Sequence, residues 1–116
     1  MKISIHPVEP GQLVLHVEGR LDAETCNTLK RLFQDQVAAG TRYITVEMSQ
    51  VAFIDSSGLS ALISGLKALR QAGGDLNLAN VAPQARAALK LTLLDTVLPI
   101  FETVSEAVEA HHRLTL

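Results

Sequence analysis

The chain has 116 residues, 47% of them hydrophobic, with three Phe, one Tyr and no Trp, which predicts one compact domain over 1–116 with a mainly aliphatic core. Ten Lys and Arg against twelve Asp and Glu give a formal charge of −2, and the basic residues are scattered rather than gathered into a stripe, which argues against nucleic acid as a main partner. No apolar run approaches the ~20 residues that span a bilayer, and no basic-then-apolar leader opens the chain, so a cytoplasmic location without direct membrane insertion is expected.

In chain order, Ile3 to His6 and Gln12 to Glu18 read as strands joined by Glu9-Pro10-Gly11, where Pro and Gly suit the centre of a type II turn. Asp22 stands where a helix N-cap belongs, ahead of Leu29, Leu32, Phe33 and Val37 at helical spacing, with Gly40 as the stop. Cys26 is the only cysteine, which rules out an internal disulfide or a cysteine metal cluster and leaves a buried packing role. Residues 42–48 form the next strand.

The apolar run Val51-Ala52-Phe53-Ile54 gives way at Asp55-Ser56-Ser57-Gly58 to a helix marked by Leu59, Leu62, Ile63, Leu66 and Leu69, which ends at Gly73-Gly74. Leu76 to Ala79 is a short strand, Pro83 opens a helix to about Leu91, and Ile100-Phe101 is a weaker strand candidate after Pro99. Thr103-Val104-Ser105-Glu106 is a capping box for a last helix over roughly 104–112. Strands alternating with helices after a hairpin predict an α/β domain, with parallel pairing through right-handed crossovers in a mixed sheet of four to five strands carrying about four helices.

The chemistry narrows at the Ser-Ser turn. A phosphate-cradling loop needs several glycines and a nearby lysine, whereas this turn has only Gly58, and Lys67 is too far along. A hydrolase nucleophile needs a glycine before the serine and a positioned histidine. His16 reads as an ordinary strand residue, although its strand could bring it toward the motif, and His111 and His112 look solvent-facing on different sides of the last helix. Asp55 reads as a helix cap, with nucleophile or metal ligand as the alternatives. Either serine can serve as a cap or as an exposed chemical handle. No catalytic residue, cofactor or metal is expected, and the chain is read as a monomeric binding module rather than an enzyme.

Val51 to Leu59 resembles the signature of STAS-domain anti-sigma factor antagonists, and Gly19-Arg20-Leu21-Asp22 resembles their second motif. The likeness spans nearly the whole chain, which makes the domain STAS-like. It implies that Ser57, or as second choice Ser56, is phosphorylated by an anti-sigma factor that is also a serine kinase. It further implies that the unphosphorylated form binds that kinase and frees the sigma factor, and that a PP2C-type serine phosphatase acts on the same serine. Asp22, Asp55, Ser56, Ser57 and Gly58 are the implied partner-binding residues. The alternative role is a non-switching STAS subunit, as on the cytoplasmic side of a lipid ABC transporter. Glu47-Met48-Ser49 departs from the family's usual Asp-Leu-Ser, and the tail His-His-Arg-Leu-Thr-Leu matches no familiar motif.

Overall fold

The computed structural model describes residues 1–116. The first two strands, β1 (Lys2–Glu9) and β2 (Gln12–Leu21), pair antiparallel. Gly11 takes a φ of +80° at the turn between them, a left-handed value that costs glycine little. Helix α1 (Cys26–Ala38), strand β3 (Tyr43–Ile54), helix α2 (Ser56–Gln71), strand β4 (Asp75–Ala79) and helix α3 (Pro83–Leu91) come next. A 3₁₀ turn at Leu94–Thr96, strand β5 (Ile100–Phe101) and helix α4 (Val104–Leu114) complete the chain. The strands lie in sequence order across one five-stranded sheet, parallel from β2 onward. No helix is long and apolar enough to cross a membrane.

Alternation assigns the two faces of the sheet. Leu13, Leu15 and Val17 on β2, Ile44, Val46 and Met48 on β3, and Leu76 and Leu78 on β4 join Leu29 and Phe33 of α1 and Leu62, Leu66 and Leu69 of α2 in one buried cluster. Cys26 is buried in the same cluster, in the packing role expected of it. The opposite face is polar where α4 crosses it. The Thr45 hydroxyl donates to Asn77 Oδ1 at 2.7 Å, and Asn77 Nδ2 donates to the Ala107 carbonyl at 2.9 Å. Gln12 Nε2 donates to the Val108 carbonyl at 3.0 Å. Side-chain amides from β2 and β4 thus reach the backbone of α4.

Strand β3 runs six residues beyond the expected 42–48. Against β2 it takes two extra residues, because His16 opposes Glu47 while Glu18 opposes Gln50, and Gly19 opposes Val51 while Arg20 opposes Phe53. Each extra residue is a bulge that reverses the facing of the residues after it. Met48, Val51 and Ile54, three apart rather than two, consequently all reach the core. The first bulge frees the Ser49 N–H, which the Glu47 carboxylate accepts at 2.6 Å. Glu47 thus serves the backbone of its own strand.

Two end signals differ in detail from expectation. Helix α1 starts at Cys26 with Thr25 at the N-cap position, so Asp22 is not its N-cap. The Asp22 carboxylate instead accepts the Glu24 N–H at 3.0 Å, closing a turn ahead of the helix, while the Asp22 carbonyl accepts the amides of Thr25 and Cys26. In the α4 box, Thr103 Oγ1 accepts the Glu106 N–H at 3.1 Å as expected, but the Glu106 carboxylate accepts the Thr103 hydroxyl rather than a backbone amide.

Candidate functional site

Leu21 and Ile54 end β2 and β3 side by side, so the turns carrying Asp22 and Asp55 leave the sheet next to each other. The Asp55 N–H donates to the Leu21 carbonyl at 3.3 Å, which ties the two turns together. Asp55 is the N-cap of α2, its Oδ1 accepting the amides of Ser57 at 2.9 Å and Gly58 at 3.1 Å. Ser56 and Ser57 are therefore the first two residues of the helix, and neither hydroxyl is used for capping. Ser56 is exposed and Ser57 half-buried.

Gly58 is buried, and a Cβ there would collide with the Leu21 carbonyl oxygen and lie 2.7 Å from Ile54 Cγ1. Its missing side chain is what allows the first turn of α2 to pack on the end of β2. That contact fixes the serines relative to Asp22.

Beyond Glu47, β3 has no partner on the β4 side. The side chain of Gln84, one residue into α3, fills the gap at its far end. Gln84 Oε1 accepts the Ile54 N–H at 2.9 Å, and Gln84 Nε2 donates to the Ile54 carbonyl at 3.1 Å, the pair of bonds a neighbouring strand would make. Sequence reasoning missed Gln84, and a glutamine in the first turn of a helix carries no local signal of such a reach.

Charge at the site is acidic. Burial by itself raises the Asp22 pKa, but the Glu24 N–H, the Arg20 guanidinium and the Thr25 hydroxyl outweigh it and hold the carboxyl below its ordinary value. Arg20 Nε lies 3.3 Å from Asp22 Oδ2, and its guanidinium carbon sits 4.4 Å over the Phe53 ring. Asp22, Asp55, Ser56 and Ser57 line none of the five main surface hollows.

The histidines lie elsewhere. His16 pairs across the sheet with Glu47, five residues back along β2 from Leu21, and its Nδ1 lies 3.1 Å from Glu47 Oε2. His111 is buried, only 2% exposed, which corrects the expectation that it faces solvent. It occupies the inner face of α4 one turn past Ala107, with its ring centre 5.3 Å from that of Tyr43. His112 is half-exposed, and its Nδ1 lies 3.0 Å from Glu9 Oε1. No group of three or more His, Cys, Asp or Glu side chains is placed to hold a metal.

A five-stranded mixed sheet with an N-terminal hairpin and a strand-to-helix turn presenting two serines that do not cap the helix describes a small α/β domain. The STAS domain model matches residues 5–107, and the chain belongs to the STAS domain family. It is 30% identical to the anti-sigma-B factor antagonist of Staphylococcus aureus over 86 residues, 74% of this chain and 80% of that one. The crystal structure of a Thermotoga maritima protein assigned as an anti-sigma factor antagonist superposes with a TM-score of 0.89 at 28% identity, covering 96% and 95% of the two chains. The anti-sigma factor antagonist SpoIIAA in its unphosphorylated form superposes at 0.84 with 19% identity and 97% coverage of both chains, a likeness of fold.

Proposed function

We propose that this protein is an anti-sigma factor antagonist whose unphosphorylated form binds an anti-sigma factor serine kinase and releases the sigma factor, and that phosphorylation of Ser57 blocks this binding. The observation that carries the reading is that Asp55 alone caps α2, so the Ser57 hydroxyl is free for a regulatory use. The names of the relatives support the general role.

Phosphorylation would add about −1.5 to −2 charges to Ser57. A helix N-terminus normally welcomes an anion through its free amides, but here the amides of Ser57 and Gly58 already bind the Asp55 carboxylate. The phosphate would compete with that carboxylate and sit beside it, with Asp22 on the adjoining turn. Repulsion and the cost of desolvating this cluster oppose docking. A penalty of about 3 kcal/mol weakens binding roughly a hundredfold, enough to switch a partner from bound to free without a large change of shape.

The test incubates the protein with its candidate kinase and ATP, maps phosphate by mass spectrometry and compares Ser56→Ala with Ser57→Ala. Loss of modification in Ser57→Ala alone supports the assignment, together with loss of kinase binding once wild-type protein is phosphorylated. Modification of Ser57→Ala at the wild-type rate would overturn it. A PP2C-type phosphatase that returns the modified protein to its binding form completes the cycle.

A further inference from the structure

We infer that His6 on β1 and His16 on β2 form a surface site for one divalent transition-metal ion of the Cu2+ class, away from the Ser57 turn. Ser4 opposes His16 and His6 opposes Val14 in the hairpin, so both histidines project from the same face of neighbouring strands. Their ring centres are 4.6 Å apart with the planes inclined at 70°. Two imidazoles bound side by side to one ion at metal–nitrogen distances of about 2.0 Å have ring centres roughly 4.5–5 Å apart. The observed 4.6 Å falls in that range, which edge-to-face ring packing also occupies, and metal titration separates the two.

The next strand supplies the outer partner that metal-binding histidines usually have. Glu47 Oε2 lies 3.1 Å from His16 Nδ1, and the Glu47 side chain is only 9% exposed. The Ser49 amide fixes its other oxygen, so the carboxylate is held in place. A carboxylate beside Nδ1 keeps the proton there and leaves the Nε2 lone pair for an ion. The His16 side chain is 41% exposed and His6 is exposed, so an ion has access. With two protein ligands the remaining positions are filled by water. Imidazole nitrogen in a site of low denticity favours Cu2+ over Ni2+ and Zn2+.

The test titrates Cu2+ into the full-length, untagged chain by calorimetry and records the copper electron paramagnetic resonance spectrum. One Cu2+ per chain with two imidazole nitrogens is expected. His6→Ala and His16→Ala should each weaken binding at least tenfold, and Glu47→Gln about tenfold or more. His112→Ala removes another accessible imidazole and should leave binding unchanged. His6→Gln, which keeps a polar side chain on the strand, repeats the test if His6→Ala loses its circular dichroism. Absence of saturable binding, retention within twofold in either His6 or His16 variant, or loss in His112→Ala overturns the site.

Discussion

The Asp55 carboxylate accepts the Ser57 amide at 2.9 Å, so the residue that caps α2 is hydrogen-bonded to the backbone of the residue proposed as phosphoacceptor. Capping and regulation are thereby divided between neighbours. Asp55→Ala should cost about 1 kcal/mol, within the roughly 0.5–2 kcal/mol range of lost N-caps, while Asp55→Asn, itself a good cap, should cost much less. Ser57→Ala removes a hydroxyl that takes no part in the cap and should change stability by under about 0.5 kcal/mol. Urea denaturation of the three variants decides the matter, and a large loss in Ser57→Ala would mean that the hydroxyl is structural.

Gln84 holds Ile54, the last residue of β3, from the opposite side to Leu21. Gln84→Ala removes both bonds at the strand end from which the Ser-Ser turn departs. Its effect should be local, with faster amide exchange at Ile54 by roughly tenfold, corresponding to about 1.4 kcal/mol of local opening. Exchange at Leu76 and Leu78, in the middle of the sheet, should stay as in the wild type. Unchanged protection at Ile54 would show that Gln84 is a passenger.

The turn depends equally on Gly58. A Cβ there would press on a backbone carbonyl, that of Leu21, which cannot swing aside as a side-chain tip would. Gly58→Ala should destabilise by about 1–3 kcal/mol through overpacking, although alanine is the better helix former by about 1 kcal/mol. Thermal denaturation measures the balance. A gain in stability would mean that α2 and β2 separate easily.

The order of strands and helices is legible in the sequence because alternation and helical spacing are strong in β2, α1, α2 and β4, and because Gly40 and Gly73-Gly74 mark where helices stop. The full length of β3 is not, since its two bulges break the alternation and leave Met48, Val51 and Ile54 three apart. Asp22 reads as an N-cap because its type suits one, yet its carboxylate bonds two residues ahead, a choice only the turn geometry decides. The Ser-Ser turn and its acidic flank are visible as residues. The division of labour between Asp55 and Ser57 requires the capping bonds, and the brace from Gln84 is thirty residues away in sequence. The burial of His111 did have a signal, because Val104, Ala107, Val108 and His111 keep the i, i+3, i+4, i+7 spacing of an inward helix stripe.

Leu93 lies just past α3 with a φ of 61°, a left-handed conformation at a position where helices commonly carry glycine. Its side chain is 68% exposed, so little burial offsets the strain. A left-handed conformation costs a side-chain-bearing residue roughly 1–2 kcal/mol. Leu93→Gly should therefore be stabilising by up to about 1 kcal/mol after the greater freedom of glycine in the unfolded chain is counted. A rise in Tm checks this, whereas a fall would show that the leucine side chain is anchored.

His111 and His112 are neighbours on α4 that respond oppositely to acid. Burial pushes the His111 pKa down to about 4, against the upward pull of the Asp75 charge on β4. Below its ordinary 6.5, the unfolded chain takes up a proton that the folded chain refuses until about pH 4. The His111 contribution to stability is thus complete above 6.5 and is lost as pH falls through this window. The gap of about 2.5 pH units corresponds to roughly 3 kcal/mol, of which about 2 kcal/mol is gone by pH 5. For His112, the hydrogen bond and charge of Glu9 raise the pKa, so its contribution is present below 6.5 and fades as pH rises through the folded value. Comparing wild type with His111→Leu by urea denaturation at pH 7 and pH 5 isolates the buried ring. The wild type should lose about 2 kcal/mol more than the variant between the two pH values, and parallel losses would show that protonation of His111 does not loosen α4 from the sheet.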